Sequence, residues 1–194
     1  MLVAQAAFAV EHFLGTVVPR EKIDGVYRDI LRQKRNIVLV GMPGCGKSTL
    51  GRMLAERLEM EFIDSDEVIV RRDGRPIPEI FASEGESVFR DLESAAIREE
   101  IAPRGGCVVA TGGGAVLRGE NVSRLKQNGI LIFLDRPLDQ IAATGDRPLS
   151  RDRGMLEERY RERYPIYCAC ADVILPIGSD ATANVEKILK VLDM

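Results

Sequence analysis

The sequence predicts an α/β fold: a parallel sheet covered by helices on both faces. Two observations carry this. Continuous apolar runs at 37–40, 108–110 and 130–134 alternate with stretches of helical period, which is how strands buried on both sides read. A glycine-rich segment, GMPGCGKS at 41–48, follows one such run and opens a helical pattern, the strand–loop–helix context of a phosphate site. With 194 residues, 45% hydrophobic and 29% charged, the chain suffices for one compact domain and excludes a largely disordered one.

The elements follow in order. Residues 2–14 read as a helix with Ala6, Ala7, Val10, Phe13 and Leu14 on one side, stopped by Gly15. Residues 20–33 read as a second helix, because Ile23, Val26, Tyr27, Ile30 and Leu31 recur at i, i+3, i+4, i+7 and i+8. After the strand at 37–40, Leu50, Met53, Leu54 and Leu58 mark a helix, and Phe62 and Ile63 a short strand. A helix is expected over 86–101 with Phe89, Leu92 and Ala96 inward. Strands at 108–110, 130–134 and 173–175 and a closing helix with Val185, Ile188, Leu189 and Leu192 complete the pattern. This divides the chain into a helical appendage, 1–34, and an α/β domain, 35–194.

Composition removes several function classes. A net charge of −3, no Trp and 5% aromatic residues argue against a nucleic-acid binder. A single histidine, His12, makes a Ser–His–Asp triad or a multi-histidine metal site hard to build. The four cysteines, Cys45, Cys107, Cys168 and Cys170, show no framework spacing and fit free thiols in a reducing cytoplasm. No apolar stretch reaches the roughly 18 residues of a membrane span. The apolar start lacks a positive n-region and is closed by Glu11 and His12, so it reads as an amphipathic helix rather than a secretory signal.

The chemistry begins at the glycine-rich loop. Its glycines let backbone N–H groups curl into an anion nest, and the helix that follows adds partial positive charge. Gly44, Cys45, Gly46, Lys47, Ser48 and Thr49 are the candidate ATP-phosphate residues, with Lys47 reaching the β- and γ-phosphates and the Ser48 hydroxyl a ligand for Mg²⁺. Two acids compete for the metal: Asp135, ending the run at 130–134, and Asp64, following Phe62-Ile63. Asp64 and Asp66 are two apart. If extended, both point to one side, one toward a metal and one toward an acceptor hydroxyl; otherwise they form a solvated turn with one Asp as a helix cap.

Arg90 and Arg163 each read alone as surface arginines, yet together could fork onto a small carboxylate. Gly112, Gly113 and Gly114 either let backbone approach a ligand or make a turn. The polar segment from 144 to about 160 reads as a flap, with Arg147 either an arginine finger on the transferring phosphate or part of a solvated loop.

From about residue 36 onward, the ordered set GMPGCGKST at 41–49, FIDSD at 62–66, FASEGESVFR at 81–90, ATGGGAV at 110–116, DRPL at 146–149 and RERYPIY at 161–167 resembles the shikimate kinase family. The resemblance implies a five-stranded parallel sheet flanked by helices, like that of nucleoside monophosphate kinases. It implies ATP-dependent phosphorylation of the shikimate 3-hydroxyl, a step of aromatic amino acid biosynthesis. By position it implies Ser48 and Asp64 for the metal and Asp66 for the shikimate hydroxyls. Arg90 and Arg163 would hold the carboxylate, Gly113 would contact the substrate, and Arg147 would be the lid arginine; Asp135 becomes an ordinary strand end. The chain departs from the family at Ala142-Ala143-Thr144 and Gly178-Ser179-Asp180, where members often carry arginines near adenine.

MLVAQAAFAVEHFLG at 1–15 resembles instead the closing helix of shikimate dehydrogenase. Gln5 falls at a substrate-site position of that enzyme; without the rest of a dehydrogenase it is assigned no role. A fused or associated dehydrogenase is one expectation for this segment. The other is that residues 1–34 pack on the kinase or pair between chains, giving a monomer or a weak homo-oligomer. Two other functions remain: a sugar-acid kinase of similar fold, such as a gluconate kinase, and an ATP-binding regulatory module without turnover.

Overall fold

The computed structural model describes residues 2–141 and 153–192. Its centre is a five-stranded sheet of β1 (Asn36–Val40), β2 (Glu61–Asp64), β3 (Cys107–Ala110), β4 (Gly129–Asp135) and β5 (Val173–Pro176). The order is β2-β3-β1-β4-β5 and every pairing is parallel. The sequence NIVLV of β1 is buried at all five positions, as a central strand covered on both faces must be. Ile37, Val38, Leu39, Leu131, Ile132 and Phe133 form the middle of the core.

Chain order reverses direction across the sheet at β1, between β3 and β4. Ligands in open α/β sheets bind at such a switch point, beyond the carboxyl ends of the strands. The loop after β1 opens there into α3 (Lys47–Leu58), which turns Leu50, Leu54 and Ala55 onto the sheet. Gly51 is needed on that face, because a Cβ there would lie 2.5 Å from the Phe62 ring on β2.

Around the sheet lie α4 (Ser65–Asp73), α5 (Ile77–Ala96), α6 (Gly119–Lys126), α7 (Arg153–Cys170) and α8 (Ala181–Val191). The helix expected over 86–101 is longer at its start and changes character at its end. It begins at Ile77, breaks at Gly85, where φ is +81°, and closes in a π-helical turn, Ile97–Ile101. Of the flap expected over 144 to about 160, residues 153–160 are the first turns of α7. Arg147 and the rest of that flap, 144–152, lie outside the described residues.

Both expected N-terminal helices form, as α1 (Leu2–Leu14) and α2 (Arg20–Lys34), and they pack on each other. Phe8, Phe13, Leu14 and Val17 are nevertheless exposed, Phe13 at 82%. Among the described residues no helix is long and apolar enough to cross a membrane. The four cysteines are free thiols.

Candidate active site

The phosphate loop keeps the geometry its glycines permit. Gly46 caps α3 at φ +102°, a left-handed conformation, so the backbone can turn its N–H groups inward. Lys47 is only 5% exposed. Its Nζ donates to the carbonyls of Gly41 at 2.9 Å and Met42 at 2.8 Å, which holds the ammonium inside the loop.

Asp64 ends β2, and the chain turns at once into α4. The pair Asp64 and Asp66 is therefore not extended; Asp64 is the helix cap and Asp66 stands in the first turn. Asp64 is the helix cap and also reaches the phosphate loop. Its Oδ1 accepts the Asp66 N–H at 3.0 Å, and its Oδ2 accepts the Ser48 hydroxyl at 2.6 Å. Asp135, the rival acid, is turned elsewhere and accepts the Tyr164 hydroxyl at 3.3 Å.

Ser48 and Asp64 together present hard oxygen donors at the loop mouth. That set suits Mg²⁺, which takes one or two protein oxygens and fills its octahedron with phosphate oxygens and water. Among the described residues there is no group of three or more His, Cys, Asp or Glu side chains that would cage a metal without such help.

Glycines 112–114, after β3, form the floor between the phosphate loop and a cluster of charge. A Cβ on Gly112 would lie 2.6 Å from Glu93 Oε1 and 2.9 Å from Asp66 Oδ1. One on Gly113 would lie 2.7 Å from the Pro43 ring, and one on Gly114 2.3 Å from the Arg90 guanidinium. The floor is fixed by the Gly112 N–H, which donates to Ser65 Oγ at 2.8 Å. From α7, Arg163 Nη1 donates to the Gly113 carbonyl at 3.2 Å, and the Tyr167 hydroxyl donates to the same oxygen.

Arg90 and Arg163, which look like surface arginines in isolation, are 8% and 6% exposed. Arg90 Nη1 donates to Glu93 Oε2 at 2.7 Å and Nη2 to Glu86 Oε1 at 2.9 Å. Burial disfavours the Arg90 cation, but Glu93 and Glu86 more than offset this and hold it above its ordinary value. Burial pushes the fully enclosed Glu93 carboxyl up; Arg90 and Arg163 offset only part of the rise, to which Asp66 adds. Asp66, Arg90, Glu93 and Arg163 thus share one cleft.

Three charged residues near the site give little sequence signal. Glu93 reads as another charged helix residue, and only its i,i+3 spacing from Arg90 hints at a buried pair. Arg136, just past β4, brings Nη1 within 3.4 Å of the Cys45 carbonyl in the phosphate loop. Arg159 lies one turn before Arg163 in a charge-dense stretch.

This arrangement can hold a nucleotide's phosphates on one side of a glycine floor and a small anionic, hydroxyl-bearing molecule on the other. Comparison with known proteins points the same way. The family model described as shikimate kinase matches residues 43–193. A shikimate kinase of Clostridium beijerinckii is 43% identical over 169 residues, spanning 83% of this chain and 99% of that protein. The solved structure titled as shikimate kinase from Acinetobacter baumannii in complex with shikimate superposes with a TM-score of 0.79 at 37% identity, covering 84% of this chain and 96% of that one. A gluconokinase from Sinorhizobium meliloti, at TM-score 0.53 and 19% identity over 84% of this chain and 97% of its own, shares the fold alone. With the family model matching well over half of its residues and a relative covered nearly end to end, the chain belongs to the shikimate kinase family.

Proposed function

We propose that this family member transfers the γ-phosphoryl group of ATP to the 3-hydroxyl of shikimate across the floor of glycines 112–114. The observation that carries the reading is the convergence of Asp66, Arg90 and Arg163 beside the phosphate loop, with Gly113 touching both sides. The loop from Gly44 to Thr49 holds the phosphates through its N–H groups, and Lys47 neutralises the transferring group. Arg90 and Arg163 hold the substrate carboxylate in a fork. Asp66 orients the acceptor hydroxyl more than it deprotonates it, because a loose transition state asks little of the nucleophile. Arg147, outside the described residues, is assigned the role of the arginine that reaches the phosphates.

Ser48 and Asp64 are the residues that would hold Mg²⁺, which when bound offsets charge on the β- and γ-phosphate oxygens. Closing a lid over the pair would exclude water and favour the shikimate hydroxyl over hydrolysis. Four free cysteines fit a cytoplasmic setting. Residues 1–34 lie outside the matched family span, and their exposed apolar side chains support a docking role, assigned to a second copy of the chain.

A coupled assay with ATP, Mg²⁺ and shikimate tests the reading. ADP release should require shikimate and should not occur when gluconate replaces it. Arg90→Ala should lose shikimate turnover and keep ATP binding. Release that ignores shikimate, or equal release with gluconate, refutes the acceptor; ATP binding without any turnover would favour the regulatory module.

A further inference from the structure

We propose that Arg159 is a third guanidinium for the acceptor's carboxylate, standing at the mouth of the cleft one helical turn from Arg163. This rests on the cleft being the shikimate site. Arg159 and Arg163 are spaced i,i+4 on α7 and share a face of the helix. Arg159 Nη1 is shut off from solvent and has no hydrogen-bond acceptor among the described residues. Burial lowers the Arg159 guanidinium's pKa, its neighbour Arg163 lowers it further, and the carboxylates of Glu86, Glu162 and Glu158 raise it in part. Arg159 therefore lies within the field of Arg163 on its own helix and of Glu86 across the cleft on α5.

Glu86 indicates where an incoming carboxylate goes. Its Oε1 bridges Arg90 Nη2 at 2.9 Å and Nε at 3.3 Å, occupying one edge of that guanidinium. Its side chain is 49% exposed, whereas Glu93, on Nη1, is 0% exposed. A ligand carboxylate can replace Glu86 on the Arg90 edge without disturbing Glu93, and it then lies within the reach of Arg159.

A third cation favours an anionic acceptor here. Asp66, Glu86 and Glu93 meet Arg90 and Arg163, with burial pushing the Glu93 carboxyl up. Arg159, itself beside Glu86, Glu158 and Glu162, adds its positive charge on the Arg163 side of the cleft. A carboxylate suits this place better than a nucleotide phosphate, because Arg159 is coupled to Glu86 and Arg163, whereas the phosphate loop meets the floor at Pro43.

The test uses the full chain. Calorimetric titration with shikimate alone, and steady-state assays varying shikimate and ATP separately, are run on the parent, Arg159→Ala, Arg159→Met and Arg159→Lys. Removing one fork onto a carboxylate should weaken shikimate about 10-fold in Arg159→Ala and Arg159→Met, and leave the KM for ATP within about twofold. Arg159→Lys should recover part of the loss. Shikimate methyl ester, which lacks the charge, should bind parent and variants alike. Arg159→Met keeps the apolar stem of the side chain, so that a loss from unfolding is separable by its melting curve. Three outcomes overturn the inference: unchanged shikimate affinity, equal loss for acid and ester, or a raised KM for ATP in place of shikimate. A parent chain that binds no shikimate refutes the acceptor assignment itself, and the role of Arg159 with it.

Discussion

Gly114→Ala tests the proposed substrate role of Arg90 by displacing its guanidinium. Gly114 has φ −111° and ψ 0°, which any residue can adopt, so an alanine there carries little backbone strain. Its Cβ, however, would lie 2.3 Å from Cζ, Nη1 and Nη2 of Arg90, where ordinary contact begins near 3.4 Å. The guanidinium must move by about 1.1 Å, enough to open its 2.7 Å bond to Glu93. The clash falls on the far end of a flexible side chain, so the stability cost should sit near the low end of overpacking, about 1–2 kcal/mol. Catalysis is less tolerant: a group misplaced by about 1 Å can cost up to about 100-fold. The KM for shikimate should therefore rise about 10- to 100-fold, equivalent to about 1.4–2.7 kcal/mol. The KM for ATP should stay within about twofold, because the loop and its lysine are untouched. Steady-state kinetics with each substrate varied, and thermal melts, read both quantities. A parent-like KM for shikimate, or equal rises for both substrates, would refute the assignment of Arg90 to the carboxylate.

Two other outcomes follow from the geometry. Asp64→Ala should lower kcat by at least about 100-fold and weaken the dependence on Mg²⁺, whereas Asp135→Ala should stay within a few-fold, since only Asp64 meets Ser48; equal damage from both would contradict the assignment. Deleting residues 1–34 should leave shikimate turnover intact, because the matched family span begins at residue 43, and should change the oligomeric state or solubility by removing the exposed faces of α1 and α2; an unchanged sedimentation profile would remove the docking role.

Much of the fold is legible because a parallel sheet buries its strands on both sides. NIVLV, CVVA and GILIFLD leave no ambiguity of face, and the phosphate loop fixes where the first of them ends. Helices that face the site are harder to read. In α7, RGMLEERYRERYPIYCAC places charged residues toward the cleft and a proline inside the helix, so its periodicity resembles a solvated loop. Likewise α4 is hidden because the turn that caps it carries Asp64 and Asp66, the acids proposed for the site. Arg90 departs from the apolar stripe of α5 yet is buried, because the face it shares with Glu93 is turned to the cleft instead of to the sheet. Pattern rules assume that buried means apolar, and they fail where the interior is a binding site.

The same crowding of roles explains how the two substrates are kept in register. Asp64, Ser65 and Asp66 are consecutive, and each addresses a different part of the site. Asp64 takes the Ser48 hydroxyl from the phosphate loop, Ser65 takes the Gly112 N–H from the floor, and Asp66 closes on the acceptor side of that floor. Asp64 also caps the Asp66 N–H, so the three cannot drift independently. Phosphoryl transfer gains most from positioning, and a donor and an acceptor held by separate loops would lose it to their relative motion. Here one turn of backbone at the end of an edge strand ties together the phosphate loop, the glycine floor and Asp66, the aspartate proposed to meet the acceptor. The distance between donor and acceptor is then a property of local covalent geometry more than of long-range packing.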